Sequence, residues 1–369
     1  MGFKNLLIVL LFSCLNVILI GQDLHFSYYQ FTPLNVNPAN AGAFSGSYRI
    51  SGIYSDKQSA ITARPFRTLT VSADAPIIRG IRKQDWIGVG VQADLVGSSG
   101  GNDDFNNIGT VNPSALQSMT YIKVGLAYHL SLDKKQTNIL TFGAQYSNGN
   151  RGYNRLTNND GRVFPQTAFP DQDIQEFNNN GNQNPGGGAG GDPNQRIALG
   201  IRDWSTGILF NARRKNSDLK LGIALEGLFA PIVSFVETPD STENKYRGIN
   251  FHGEYDMTIN KRVNIIPGFY YYNLGPASAF NINTHATYQL DPEKDLKLTA
   301  GLGTRNLRAI IFYAGAIIKD IRVGMAFDMD ISTAVIGSNG VGGFEICASY
   351  MGKIYKKPKP KPIIFCPRL

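Results

Sequence analysis

Between Ile321 and Ile331 the chain alternates without a break. Ile321, Val323, Met325, Phe327, Met329 and Ile331 are apolar, and Arg322, Gly324, Ala326, Asp328 and Asp330 stand between them. Successive side chains of a β-strand point to opposite faces, so this stretch is a strand with one apolar and one polar face. Its length, about 11 residues, is what a tilted strand needs to cross a bilayer. The same pattern recurs upstream. Phe280, Ile282, Thr284, Ala286, Tyr288 and Leu290 interleave with Asn281, Asn283, His285, Thr287 and Gln289. Ile249, Phe251, Gly253, Tyr255 and Met257 interleave with Asn250, His252, Glu254 and Asp256. Extended along the chain, the pattern places strands near 47–55, 66–74, 85–96, 117–130, 137–147, 202–213, 219–229, 247–258, 263–274, 277–290, 296–305, 309–319, 321–332 and 342–352. The predicted fold class is all-β: a transmembrane antiparallel β-barrel of about fourteen strands, with apolar faces to lipid and polar faces to the lumen. Val323 and Phe327 are assigned to lipid and Asp328 to the lumen, where substitution is expected to cost much less. A one-residue slip would exchange the two faces.

The connections give the barrel a direction. The links at 131–136, 215–218, 260–262, 291–295 and 319–320 are short, with 77–84 an exception. Those at 97–116, 148–201, 230–246 and 333–341 are longer, apart from a tight one near Asn306. Short periplasmic turns and longer outer loops are the expected asymmetry, and an even strand count returns both ends to the periplasm. Gln22 and Leu369 are therefore both expected there. The segment 148–201 is the outlier, running through Asn178–Asn182 into Pro185–Gly191, a composition unable to bury a core. It reads either as an unselective surface loop or as a contact for something outside the cell. In the second case Phe164, Phe169 and Phe177 are the candidate client-binding residues, aromatic anchors in a polar setting.

Both ends of the chain depart from the strand pattern. Lys4 precedes an apolar run from Leu6 to Ile20 that ends at Gly21. That is the form of a signal peptide over 1–21, cut before Gln22. Cys14 as an acylation site is the weaker alternative, because the apolar run continues past it. Beyond Gln22 no run of about 18 apolar residues remains to make a helical span. Residues 22–46 carry Phe26, Tyr28, Tyr29, Phe31 and Leu34, which want burial, so the segment is expected at the periplasmic mouth or in the lumen as a partial plug. The barrel proper is assigned to 47–352. The tail 353–369 alternates Lys and Pro, an extended and self-repelling spacer.

Composition supports the barrel. Charged residues make up 17%, with 40 Gly, 17 Tyr and 21 Phe, against ~25% charged in ordinary soluble domains. The net charge of +8 is concentrated between Lys353 and Arg368, so it does not indicate nucleic acid. Cys347 and Cys366 follow the leader. An envelope compartment permits them to pair, although two cysteines make no framework. His25, His129, His252 and His285 lack partners at metal-ligand spacing, and no P-loop or nucleophile elbow is present. No catalytic, cofactor-binding or metal residue is assigned. His252 and His285 face the lumen beside Glu254 and Asp256. An acid–base dyad is one reading; mutual neutralisation is the other, with Lys123, Lys297, Arg305 and Arg322 set against Glu226, Glu254, Asp256, Asp328, Asp330 and Glu345. Asp103-Asp104 and Asp171-Gln172-Asp173 lack the ligand spacing of a calcium loop.

The block after the leader carries a resemblance. Asp23, His25, Phe26, Ser27, Tyr29, Pro33, Asn35, Asn37, Pro38, Ala39, Gly42, Tyr48 and Arg49 form a pattern similar to that of the PorP/SprF family of Bacteroidota type IX secretion membrane proteins. The resemblance continues at Thr68–Asp74, Trp204–Gly207, Arg322–Gly324, Gly342–Ile346 and Cys366–Arg368. Two positions depart from it. Ser55–Ser59 lacks the family's arginine and Gln-Trp pair, and Phe344 stands where the family has histidine. Both bear on which partner this member takes. The resemblance implies an outer-membrane barrel that works with the type IX machinery, exporting or surface-anchoring a large secreted protein such as a gliding adhesin through that client's C-terminal domain. Two further readings remain beside it. One is a passive porin or small-solute transporter; the other is a structural link from the membrane to periplasmic components or peptidoglycan through 353–369.

Overall fold

A computed structural model describes residues 26–57, 66–80, 84–98, 117–153, 197–231, 246–275, 277–331 and 340–354. Its strands are β1 (Tyr48–Lys57), β2 (Phe66–Arg79), β3 (Trp86–Ser98), β4 (Gln117–Ser131), β5 (Asn138–Tyr153), β6 (Ile197–Arg213), β7 (Ser217–Glu226), β8 (Gly248–Thr258), β9 (Val263–Leu274), β10 (Ala277–Asp291), β11 (Leu296–Arg305), β12 (Ala309–Ile318), β13 (Ile321–Asp330) and β14 (Val341–Gly352). Each pairs with its sequence neighbours, and β14 returns to β1 to close the ring. All pairings are antiparallel, so no edge is left with unpaired N–H and C=O groups. In hydrocarbon that closure is obligatory, because no water is there to satisfy an open edge. No helix among the described residues is long and apolar enough to cross a membrane.

The alternation sets the two faces. Phe327 is 42% exposed and Asp328 1% exposed, and along β13 the apolar residues look outward while the polar ones look in. On β10, Ile282, Tyr288 and Leu290 are outward, and Asn281, Asn283 and His285 are buried inside.

Three boundaries move. The strand expected to end at 74 continues through Pro76 to Arg79, with a register shift between Pro76 and Ile78 where proline cannot donate to the ladder. The exceptional link at 77–84 is thereby shortened to the residues between Arg79 and Trp86. The connection expected at 148–201 is narrower, because β5 and β6 stay paired up to Tyr153 and Ile197. Outward residues there are Asn148 and Asn150, both exposed. A ladder that has risen above the apolar band no longer needs an apolar face, so the alternation fades while the strand continues. β7 stops at Glu226 rather than 229, at Gly227 with φ +69°.

Call the end of the barrel bearing the longer connections the loop end and the other the turn end. Asp133 holds one turn-end connection, accepting from the backbone N–H groups of Asn138 (2.6 Å), Thr137 (3.1 Å) and Lys135 (3.2 Å). The Asn138 N–H foremost, these bonds draw its carboxyl below the ordinary range. The turn's anchorage is therefore complete at neutral pH and is lost only as pH falls through that lowered value.

Residues 26–43 lie inside the ring. Two 3-10 turns, Tyr29–Phe31 and Pro38–Asn40, flank one helical turn, Pro33–Val36. Pro33 and Pro38 each open a turn, where a missing N–H costs nothing. This strap holds much of the buried apolar surface of the molecule: Phe26, Tyr28 and Phe31 pack with Ile53, Ile311 and Tyr313. The leader, the tail from 355, the interior of the long loop, both acidic clusters and Cys366 lie outside the described residues.

Candidate functional site

The lumen carries the densest polar chemistry of the fold, and the strap is at its centre. Ser27 is fully buried, with relative exposure 0%. Glu345 of β14 accepts from the backbone N–H of Ser27 (2.9 Å) and of Tyr28 (2.8 Å). The Ser27 hydroxyl donates to Asp328 of β13 (2.8 Å) and accepts from Arg305 of β11 (3.0 Å). The Ser27 carbonyl accepts from Asn281 of β10 (3.1 Å) and Tyr313 of β12 (3.0 Å). One serine thus satisfies every polar atom it has on five adjacent strands, β10 to β14. Around it Arg305 pairs with Asp328 at 2.7 Å, and Lys57 with Glu345 at 3.6 Å. Two cations and two carboxylates balance where a lone buried charge would be costly.

Deeper in, Tyr28 stacks on His285 at 5.2 Å and meets Tyr313 edge-on at 5.0 Å. Asn35 contacts Gln92 and takes a hydrogen bond from Lys123 (2.6 Å), which also pairs with Asp94 at 3.0 Å. Asn37 donates to the carbonyls of Ile208 (3.0 Å) and Ile223 (3.1 Å) and lies 3.2 Å from His252. Its side-chain oxygen Oδ1 caps the next turn by accepting from the Ala39 backbone N–H (2.9 Å). Ala39 runs so close over Gly143 that a Cβ there would sit 2.2 Å from its nitrogen.

At the turn end Arg49 grips Asp74 with two bonds of 2.8 Å, a fork geometry that fixes direction as well as charge. Asp74 also accepts from Gly42 (2.8 Å), whose φ of +70° suits glycine. Trp86 donates to Gly42 (3.2 Å) and stacks on His129 at 4.6 Å. His129 Nε2 lies 2.8 Å from the Ala41 carbonyl. A carbonyl only accepts, so this nitrogen carries the hydrogen and Nδ1 accepts from Thr141 at 2.9 Å. Below, a cavity of about 570 Å³ opens, lined among others by Phe44, Trp86, Arg213, Lys353 and Ile354.

Of the residues singled out by sequence, the structure sets Phe26, Ser27, Tyr29, Pro33, Asn35, Asn37, Pro38, Ala39 and Gly42 in the lumen, with Tyr48 and Arg49 opening β1. Asp23, His25, Phe164, Phe169 and Phe177 are outside the described residues. His252 and His285 are buried and face inward, yet they serve the strap rather than form a dyad. Cys347 is buried and donates to the Gly324 carbonyl (3.2 Å). Arg305 and Asp328, set against each other in the sequence, do pair, whereas the other charge partners differ from those expected. Glu345 takes Lys57, Lys123 takes Asp94, and Lys297 takes Asp295 in a turn. The expectation that Asp328 is cheap to replace does not hold, because the lumen around it is filled and Asp328 is bound to Arg305 and Ser27. Sequence reasoning gave Asp74, Trp86 and His129 no role at a site, although it named His129 among the histidines and Asp74 within the resemblance. Alternation gives their inward direction, but nothing in it reveals the strap beside them. Among the described residues no cluster could hold a metal ion.

The family model for the type IX secretion system membrane protein PorP/SprF matches residues 18–350. The chain belongs to the PorP/SprF family. It is an outer-membrane β-barrel of the type IX secretion system. No curated protein matches this PorP/SprF member. Solved barrels resemble it in shape at low identity. The toluene transporter TodX of Pseudomonas putida is 11% identical, with TM-score 0.47, 86% of this chain covered and 92% of that one. The toluene transporter TbuX of Ralstonia pickettii is 10% identical, with TM-score 0.46 and coverage of 88% and 94%. The monoaromatic hydrocarbon channel CymD is 7% identical, with TM-score 0.46 and coverage of 90% and 96%. What those proteins carry says nothing of what this PorP/SprF barrel handles.

Proposed function

We propose that this barrel retains one large type IX client at the cell surface, with the loop end outward and the client's C-terminal domain as the docked part. The observation that carries the proposal is the strap. A lumen threaded by residues 26–43, tied by Ser27 to five strands and by Asn37 to two more, is poorly suited to solute flow. The family membership supplies the type IX setting. Phe164, Phe169 and Phe177, in the connection between β5 and β6, are the proposed client contacts. The tail from Lys353 leaves beside the cavity at the turn end, a position suited to a periplasmic type IX component or peptidoglycan.

The competing reading is a passive porin. In planar bilayers the intact protein should give no steady conductance step. Deleting its gene should release one large type IX client from the cell surface into the medium. A stable open channel, together with unchanged surface retention of every client, would overturn the proposal.

A further inference from the structure

The turn end is unevenly charged. Three of its connections follow one another round the ring: 132–137 between β4 and β5, 214–216 between β6 and β7, and 259–262 between β8 and β9. Backbone bonds join them, the Arg213 N–H donating to the Thr137 carbonyl (2.7 Å) and the Thr258 N–H to the Asn216 carbonyl (2.9 Å). On them stand Lys134, Lys135, Arg214, Lys215, Lys261 and Arg262, all exposed. Among the described residues none of the six pairs with a carboxylate. Asp133, the one acid in these connections, is taken up by N–H groups of its own turn. Asp218 and Asp256 lie opposite each other on the lumenal side of β7 and β8, where Leu221, Ile223 and Tyr255 are the outward residues. The stretches starting at this end that lie outside the described residues, 81–83 and 355–369, contain no Asp or Glu. The rest of the turn end is balanced: Lys294 meets Asp291 at 3.8 Å, Lys297 meets Asp295 at 3.3 Å and Lys353 meets Asp320 at 2.9 Å. The unmatched positive charge is therefore confined to the arc from β4 to β9.

The same arc carries exposed apolar side chains. Leu132 continues the outward series of Val124 and Leu126 on β4, and Ile259 continues that of Phe251 and Tyr255 on β8. Each stands two positions ahead of a cation pair, Lys134-Lys135 and Lys261-Arg262. The lipid-facing band thus runs down to the cations, whose long stems can lie along it while their heads reach the polar layer. An apolar surface ending in unmatched cations matches an acyl chain and its phosphate headgroup, and basic sites at a membrane boundary recognise anionic headgroups. We infer that the arc from β4 to β9 binds anionic phospholipid, with the phosphate on the cations and the acyl chains along Leu132 and Ile259. An acidic protein segment would also satisfy the charges, but it gives no reason for outward apolar side chains directly beside them. Anionic lipid held on one side only would give the barrel a preferred face within its leaflet.

The inference goes beyond client retention and does not depend on it. The full-length barrel is reconstituted in nanodiscs of equal parts phosphatidylcholine and phosphatidylglycerol, released into detergent, and its bound lipid identified by native mass spectrometry. Wild type should retain phosphatidylglycerol over phosphatidylcholine, by roughly fivefold for each cation engaged at the headgroup. K134Q/K135Q/K261Q/R262Q, folded as judged by heat-modifiable migration, should hold the two lipids alike. D291N/K294Q/D320N/K353Q, which neutralises pairs on the balanced side, should keep the preference. If the quadruple arc variant does not insert, K134Q/K135Q and K261Q/R262Q made separately should each lower the preference. A wild-type barrel without preference overturns the inference, whatever the variants do. A preference that survives in the inserted arc variants overturns it too, because the lipid is then held elsewhere. Binding of a polyglutamate peptide to wild type in pure phosphatidylcholine nanodiscs, with no preference for phosphatidylglycerol, would assign the arc to an acidic protein segment instead.

Discussion

Glu345 shows how a single lumenal residue fixes the interior. Its two oxygens take two strap N–H groups, the Ser55 hydroxyl at 3.2 Å and the Lys57 ammonium. Replacing it with alanine takes away the acceptor of all of these, at about 1–3 kcal/mol for each buried group left without a partner. E345A should therefore lower the urea midpoint of the refolded barrel well below that of E345Q, which keeps one acceptor oxygen. Equal midpoints for E345A and wild type would show that the strap is not held there. Asp328 makes the complementary case. D328A removes the partner of a largely enclosed arginine and should cost about 3 kcal/mol, the lower end for a broken buried pair. On the lipid side F327R, one residue away, should cost about 2–4 kcal/mol near the midplane. Both faces are thus intolerant for different reasons, and the salt bridge can be separated by a cycle. If R305M and D328L are coupled through their contact, the double variant should unfold nearer to wild type than the two single losses sum to. Strict additivity would deny the contact.

Elements were legible where one face meets lipid. Val323, Met325 and Phe327 alternate with Gly324, Ala326 and Asp328, and a membrane strand has no other way to satisfy two solvents, so register followed directly. Where both neighbours of a strand are polar the signal fails. Asn148 to Gly152 belong to β5 above the apolar band, and only the ladders to β4 and β6 show it. The strap was legible in its need for burial but not in its path. Ser27 finds partners on β10 to β14, more than 250 residues away in sequence, and nothing local encodes such a distance. Glycine records the closeness of the strap to the wall. At Gly143 an added methyl would meet the Ala39 backbone at 2.2 Å, whereas at Gly125 its nearest neighbour is 3.5 Å away. G143A should therefore destabilise the barrel by about 1–3 kcal/mol through overpacking, and G125A should be close to neutral. Equal effects would mean that the strap stands off the wall.

At the scale of the whole molecule, a closed ring, an occupied bore and unequal ends suit the client retention at the rim that we propose. The ring removes every edge, the strap binds seven of the fourteen strands through Ser27 and Asn37 alone, and the longest connection joins β5 to β6. Its aromatic residues are proposed to meet the client. Deleting 160–195 leaves every strand intact, since β5 ends at Tyr153 and β6 begins at Ile197. The decisive measurement is surface display of type IX clients in cells carrying that deletion, with barrel insertion confirmed by heat-modifiable migration. The account predicts a normally inserted barrel and the loss of one large client from the surface. A normally inserted barrel that displays every type IX client as wild type does would contradict it.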